Sequence, residues 1–181
     1  MTFHRRNDTP KSAVLKRVAA YGILFFILGV AQCSFFTNLS FLSAVPDIVL
    51  GAVAAVALLD TQKTAAICGI ASGFMIDALG GSGLSLSPIV YFAIALICSE
   101  LSKKMLQSFL SWIFVLAAAS VLNSLFTYAY ISLSFENAAF SAVFKSILLP
   151  EALTTAVFSL PIFFIVKLCV RIAEAKNKFK M

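Results

Sequence analysis

The stretch Gly69-Ile-Ala-Ser-Gly73-Phe-Met-Ile-Asp77-Ala-Leu-Gly80-Gly81-Ser-Gly83 decides how this chain folds. Ala65, Gly69, Gly73 and Asp77 are spaced four apart, so on a helix they form one slowly drifting ridge. A ridge of such small residues lets a second helix approach closely, which is how helices associate where lipid removes the hydrophobic drive between them. An acidic group in an apolar segment is costly, so its presence asks for a reason.

The same apolar character extends over most of the 181 residues. Hydrophobic side chains make up 61% and charged ones 12%, against roughly 25% charged in an ordinary soluble domain. A hydrocarbon layer about 30 Å thick needs roughly 20 apolar residues per helix. Six segments meet or approach this, over 18–36, 42–59, 64–79, 84–101, 109–133 and 149–170. The third is short and the second contains Pro46, so both depend on their neighbours. The runs are continuously apolar and do not alternate with period two, which excludes a membrane barrel. The predicted fold class is an all-α, polytopic integral membrane bundle of six transmembrane helices. Residues 18–171 form the membrane domain, between a basic amino-terminal segment, 1–17, and a basic tail, 172–181.

The basic residues orient the bundle. Arg5, Arg6, Lys11, Lys16 and Arg17 precede the first helix, and Lys167, Arg171, Lys176, Lys178 and Lys180 lie at or after the last. Lys63, Lys103 and Lys104 fall in turns on the same side, leaving Lys145 alone opposite, so 13 of 14 basic groups share one face. The positive-inside rule makes that face, with both termini, cytoplasmic in a multi-pass plasma-membrane protein. The net charge of +6 then meets anionic lipid headgroups, and no folded basic surface exists for nucleic acid. The first apolar run is too long for a signal-peptide core and lacks a small-residue cleavage site.

Function classes narrow further. Cys33, Cys68, Cys98 and Cys169 stand singly within helices as small apolar packing residues, and His4 is the only histidine. Zinc sites and histidine-dependent nucleophilic catalysis are excluded, and neither a metal nor a cofactor is expected. Gly80-Gly81-Ser82-Gly83 lacks the Gly-Lys-Ser/Thr of a phosphate loop and is read as a tight turn.

The second and third segments, joined by Asp60-Thr61-Gln62-Lys63, are rich in Gly and Ala and are expected to form a tight hairpin at the centre or at a partner interface. Bulky Phe25-Phe26, Phe35-Phe36, Phe114 and Phe163-Phe164 assign the first, fifth and sixth helices to the lipid-facing wall, with Trp112, Tyr128 and Tyr130 in aromatic belts. Phe140, Val143, Phe144 and Ile147 mark a short interfacial helix on the outer leaflet. Asp47 after Pro46 and Glu151 after Pro150 open the second and sixth helices as acidic caps; Pro88 and Pro161 are expected to bend the fourth and sixth. Gln32 and Asn123 are amides able to bond across helices. For Asp77, hydration at the headgroups and a buried structural role both stand, ahead of transport or catalysis.

Pro46-Asp47, the small-residue hairpin, Gly73-Phe-Met-Ile-Asp77 running into Gly83-Leu-Ser-Leu-Ser-Pro88, and Leu149-Pro150-Glu151-Ala152-Leu153 broken at Pro161 together resemble the rod shape-determining protein MreD family. The resemblance implies a fold similar to the S components of energy-coupling-factor transporters, and a role in cell shape and peptidoglycan synthesis within the elongasome. It implies a non-enzymatic scaffold that binds MreC and, indirectly, MreB, RodA and a penicillin-binding transpeptidase. It carries no catalytic residues; Pro46, Asp47, Gly73, Asp77 and Gly83 are its landmarks, and Ala65 and Gly69 join them as candidates for a partner interface or for internal packing. The alternative is a vitamin-binding S component whose outer cavity would be lined by Asp47, Asp77, Tyr91 and Thr154 or Thr155. A homo-oligomer stays open under either reading.

Overall fold

The computed structural model describes residues 11–36, 45–80, 86–104, 108–134, 144–145 and 149–178. Among them the chain is helical and contains no strand: α1 (Lys11–Val30), continued by a π-helical turn at Ala31–Phe35, α2 (Ile48–Leu59), α3 (Gln62–Gly80), α4 (Ser87–Ser102), α5 (Phe109–Ser134) and α6 (Leu149–Lys178). Three of these hold stretches long and apolar enough to cross a membrane: Gln62–Gly80, Phe109–Tyr130 and Leu149–Arg171. The apolar stretches Ala19–Phe35, Ile48–Leu59 and Ser87–Ser102 are shorter.

The bundle is arranged around α2. Every residue from Ile48 to Leu58 is buried, and α2 touches all five other helices. A helix that is apolar all round belongs in an interior. Its small side chains allow the crowding: a Cβ placed on Gly51 would lie 2.1 Å from Ser159 Oγ and 2.5 Å from Ser159 Cβ on α6. At 12 residues, α2 is only about 18 Å long, and its amino-terminal end stops inside protein. Val45 to Asp47 are not helical, so α2 starts at Ile48 rather than at the expected Leu42. Proline disfavours helical geometry in the residue before it, and Asp47 caps the helix behind it.

The small-residue ridge of α3 faces α4. Ala65, Gly69, Gly73 and Asp77 are all buried, and α3 packs against α4 more extensively than any other pair of helices does. A Cβ on Gly69 would sit 2.7 Å from the Tyr91 carbonyl oxygen, and one on Gly73 would sit 2.4 Å from Pro88 Cα. Gly69 and Gly73 are therefore internal packing residues, and the smallest side chains lie where two backbones meet. Of the expected hairpin, α2 alone occupies the centre; α3 lies outside it with Ile67 and Phe74 exposed.

Other expectations need correction. Trp112 is fully buried, not in a belt. It stacks on Phe109 at 5.7 Å and lies 5.2 Å from Phe163 on α6, where aromatic packing stabilises the α5–α6 seam. Pro88 does not bend α4, because it stands in the first turn, where its missing N–H leaves no helical bond unmade. Pro161 does lie inside α6. Of each phenylalanine pair on α1 and α6, one ring turns inward (Phe25, Phe163) and the other outward (Phe26, Phe164). Phe114, Ile23, Ile27, Val157 and Leu168 also point outward, as a wall facing lipid requires. Gly83 and most of the expected interfacial helix, including Phe140, Val143 and Ile147, lie outside the described residues.

Candidate functional site

The polar groups predicted separately along the sequence converge where α2 begins. Asp47 is the N-cap: its Oδ1 accepts from the Leu50 N–H at 2.9 Å. The neighbouring Val49 N–H donates to Gln32 Oε1 at 3.0 Å. A helix leaves its first N–H groups without intrahelical acceptors, and in an apolar interior each must find one. The π-helical turn at the end of α1 carries Gln32; such turns recur at functional sites because they redirect side chains that a regular helix would carry elsewhere.

Two further helices close on the same residue. Tyr91 of α4 donates its hydroxyl to Asp47 Oδ2 at 2.6 Å, and the Asp47 N–H donates to Thr155 Oγ1 of α6 at 2.8 Å. Asp47, Tyr91 and Thr155 are all at least 90% buried. One turn before Thr155, Glu151 accepts from Asn123 Nδ2 of α5 at 3.1 Å. Together the two clusters tie α1, α2, α4, α5 and α6 at one end of the bundle. The two Pro-acid pairs, 104 residues apart in the chain, serve one junction. Thr154 does not join it; its hydroxyl donates back to the Pro150 carbonyl at 2.8 Å.

The opposite end of α2 is held more simply. Ser102 Oγ of α4 donates to the Ala57 carbonyl at 2.9 Å, and Tyr21 of α1 donates to Asp60 Oδ2 at 2.9 Å. Lys63, Lys103 and Lys104 belong to this end, with Lys103 paired to Glu100. Tyr21 and Ser102 were not singled out from sequence, nor was Ser159. The one available signal was Gly51, a position bare enough to mark a close approach.

Chemically, the Asp47 junction is a set of mutually satisfied groups. Both oxygens of Asp47 accept hydrogen bonds from within the chain, and one oxygen of Glu151 does. No group of three or more His, Cys, Asp and Glu that could hold a metal occurs among the described residues. Asp77 is buried on α3, on the ridge that faces α4.

A second feature lies on the opposite flank of α6. An apolar cleft of about 620 Å³ runs between α5 and α6, from Trp112 to Tyr128 and Phe144. Ala117, Ser120 and Ser124 of α5 and Ala152 and Ala156 of α6 line it. Small residues on both walls hold the two helices' outward faces open.

No family model, curated protein or solved structure matches this chain.

Proposed function

We propose that this chain is a six-span plasma-membrane scaffold of the bacterial rod complex, non-enzymatic, with both termini cytoplasmic. It binds the single-pass protein MreC and through it connects to MreB, RodA and a penicillin-binding transpeptidase. The observation that carries the reading is the Asp47 junction. Asp47 is one of the five landmarks of the family resemblance, and its carboxylate is engaged by Leu50 and Tyr91 while its own N–H is engaged by Thr155. A buried polar group satisfied within the chain stabilises and specifies the fold, which leaves outward apolar faces as the means of acting on other proteins. The distribution of Lys63, Lys103 and Lys104 at one end supports the orientation.

The vitamin-binding alternative required Asp47, Tyr91 and Thr155 to line an open cavity; their bonding to each other favours the scaffold. The partner surface must also avoid Gly69 and Gly73, which face α4. Ile67 and Phe74, 59% and 60% exposed on the outward side of α3, are the appropriate positions to alter.

The test is co-purification. Tagged chain co-expressed with MreC should retain it in mild detergent, and Ile67→Ser with Phe74→Ser should weaken that retention while membrane insertion persists. A chain that never retains MreC, or that holds a stoichiometric vitamin instead, would sink the scaffold reading. Orientation is checked in a chain whose four native cysteines are replaced by alanine, by labelling Lys63→Cys and Lys145→Cys with an impermeant thiol reagent on intact cells. Only the second should react.

A further inference from the structure

We infer that the α5–α6 cleft is a binding site for one anionic phospholipid of the outer leaflet, with an acyl chain lying in the cleft and the phosphate beside Lys145. The inference rests on the membrane orientation proposed above but not on the identity of any protein partner.

Size selects the occupant. From Trp112 to Tyr128 the cleft follows α5 for roughly 24 Å, at 1.5 Å per residue. A helix of that length, 10–12 Å across, fills on the order of 2,000 Å³. The cleft offers about 620 Å³, so a partner helix could insert no more than one row of side chains. At about 30 Å³ for a group the size of a water molecule, a methylene being similar, the same volume takes roughly 20 groups. That is one acyl chain with its ester linkage. The walls suit it: the small residues Ala117, Ala152 and Ala156 leave the width of a hydrocarbon chain between the helices.

Charge selects the headgroup. Phe144 lines the cleft at the end where α6 begins, and the exposed Lys145 follows it directly. Lys145 is the one basic residue that the orientation places on the outer side. The amino terminus of α6 adds its partial positive charge at the same mouth, while the nearby acidic group, Glu151, is bonded inward to Asn123. An ammonium at the end of an apolar slot complements a phosphate carried on an acyl chain.

The test uses the full chain in detergent, titrated with phosphatidylglycerol or phosphatidylcholine of identical acyl chains and read by native mass spectrometry. Wild type should bind phosphatidylglycerol about fivefold more tightly, the worth of one basic group near an anionic charge. Lys145→Gln should abolish that preference and keep the weaker binding common to both lipids. Ala156→Leu, at an exposed position that does not enter the core, should remove binding of both lipids without lowering the melting temperature. The inference is overturned by equal affinity of wild type for the two lipids, by undiminished binding in Ala156→Leu, or by disulfide trapping of a partner helix in the cleft in place of lipid.

Discussion

Adding one methyl group at Gly73 should damage this fold more than its size suggests. The Cβ of Gly73→Ala would lie 2.4 Å from Pro88 Cα, 2.5 Å from Pro88 N and 2.6 Å from the Ser87 carbonyl carbon. All three are backbone atoms, so no rotamer can clear the space. Carbon atoms pack at about 3.5–4.0 Å, and the first turn of α4 must therefore retreat by about 1 Å. One turn further on, Tyr91 holds Asp47 at 2.6 Å, and the same retreat would stretch that bond to about 3.6 Å, past hydrogen-bonding range. Overpacking costs about 1–3 kcal/mol, and a buried hydroxyl and carboxylate that lose each other cost about 1–3 kcal/mol more. Alanine returns about 1 kcal/mol of helix propensity, leaving a net loss of about 1–5 kcal/mol. In a chain of this size that corresponds to roughly 2–4 °C per kcal/mol, read by circular dichroism melting in mild detergent. Gly80→Ala is the internal control, since no described residue lies within 4 Å of its Cβ; it should melt at or slightly above wild type. Because the Tyr91 bond is lost through the same displacement, Gly73→Ala combined with Tyr91→Phe should be less than additive. A Gly73→Ala protein that melts with wild type and with Gly80→Ala would refute the close approach of α3 and α4.

Asp47→Ala should lower stability by about 2–4 kcal/mol, combining a lost cap with an orphaned Tyr91 hydroxyl; Asp47→Asn should recover the cap share, and equal melting of the two variants would contradict the capping role. Trp112 is the only tryptophan and is fully buried, so its emission should be blue-shifted and weakly quenched by iodide, whereas red-shifted emission with strong iodide quenching would place it in an aromatic belt after all. Ser159 Oγ is buried with no hydrogen-bond partner among the described residues, so Ser159→Ala should be neutral or stabilise by up to about 1 kcal/mol; a clear loss in thermal melting would reveal an acceptor for that hydroxyl.

Local chemistry made several elements legible. Asp47 after Pro46 has a single good use at a helix start, and the structure uses it so. Gln32 and Asn123 are costly in an apolar segment unless bonded, and both are bonded across helices. The sixth helix runs on to Lys178, past the segment 149–170 and into the basic tail, because a helical backbone needs no apolar partner where its side chains are solvated. Trp112 was misplaced for an equally physical reason. An aromatic residue near the end of an apolar helix satisfies a belt and a core equally well, and only the rings of Phe109 and Phe163 around it decide between them.

The ridge of Ala65, Gly69 and Gly73 shows where the division lies. Periodicity and composition are properties of each segment alone, and they suffice to make these segments apolar helices, to give α3 a face of small residues and to gather the basic groups at one end. Packing in three dimensions is what assigns this face to α4 and not to a partner, surrounds α2 with the other helices, and brings Asp47, Gln32, Tyr91 and Thr155 to one point. A bare ridge can receive any helix equally well. Which one it receives depends on distances between segments far apart in the chain, and no single segment contains them.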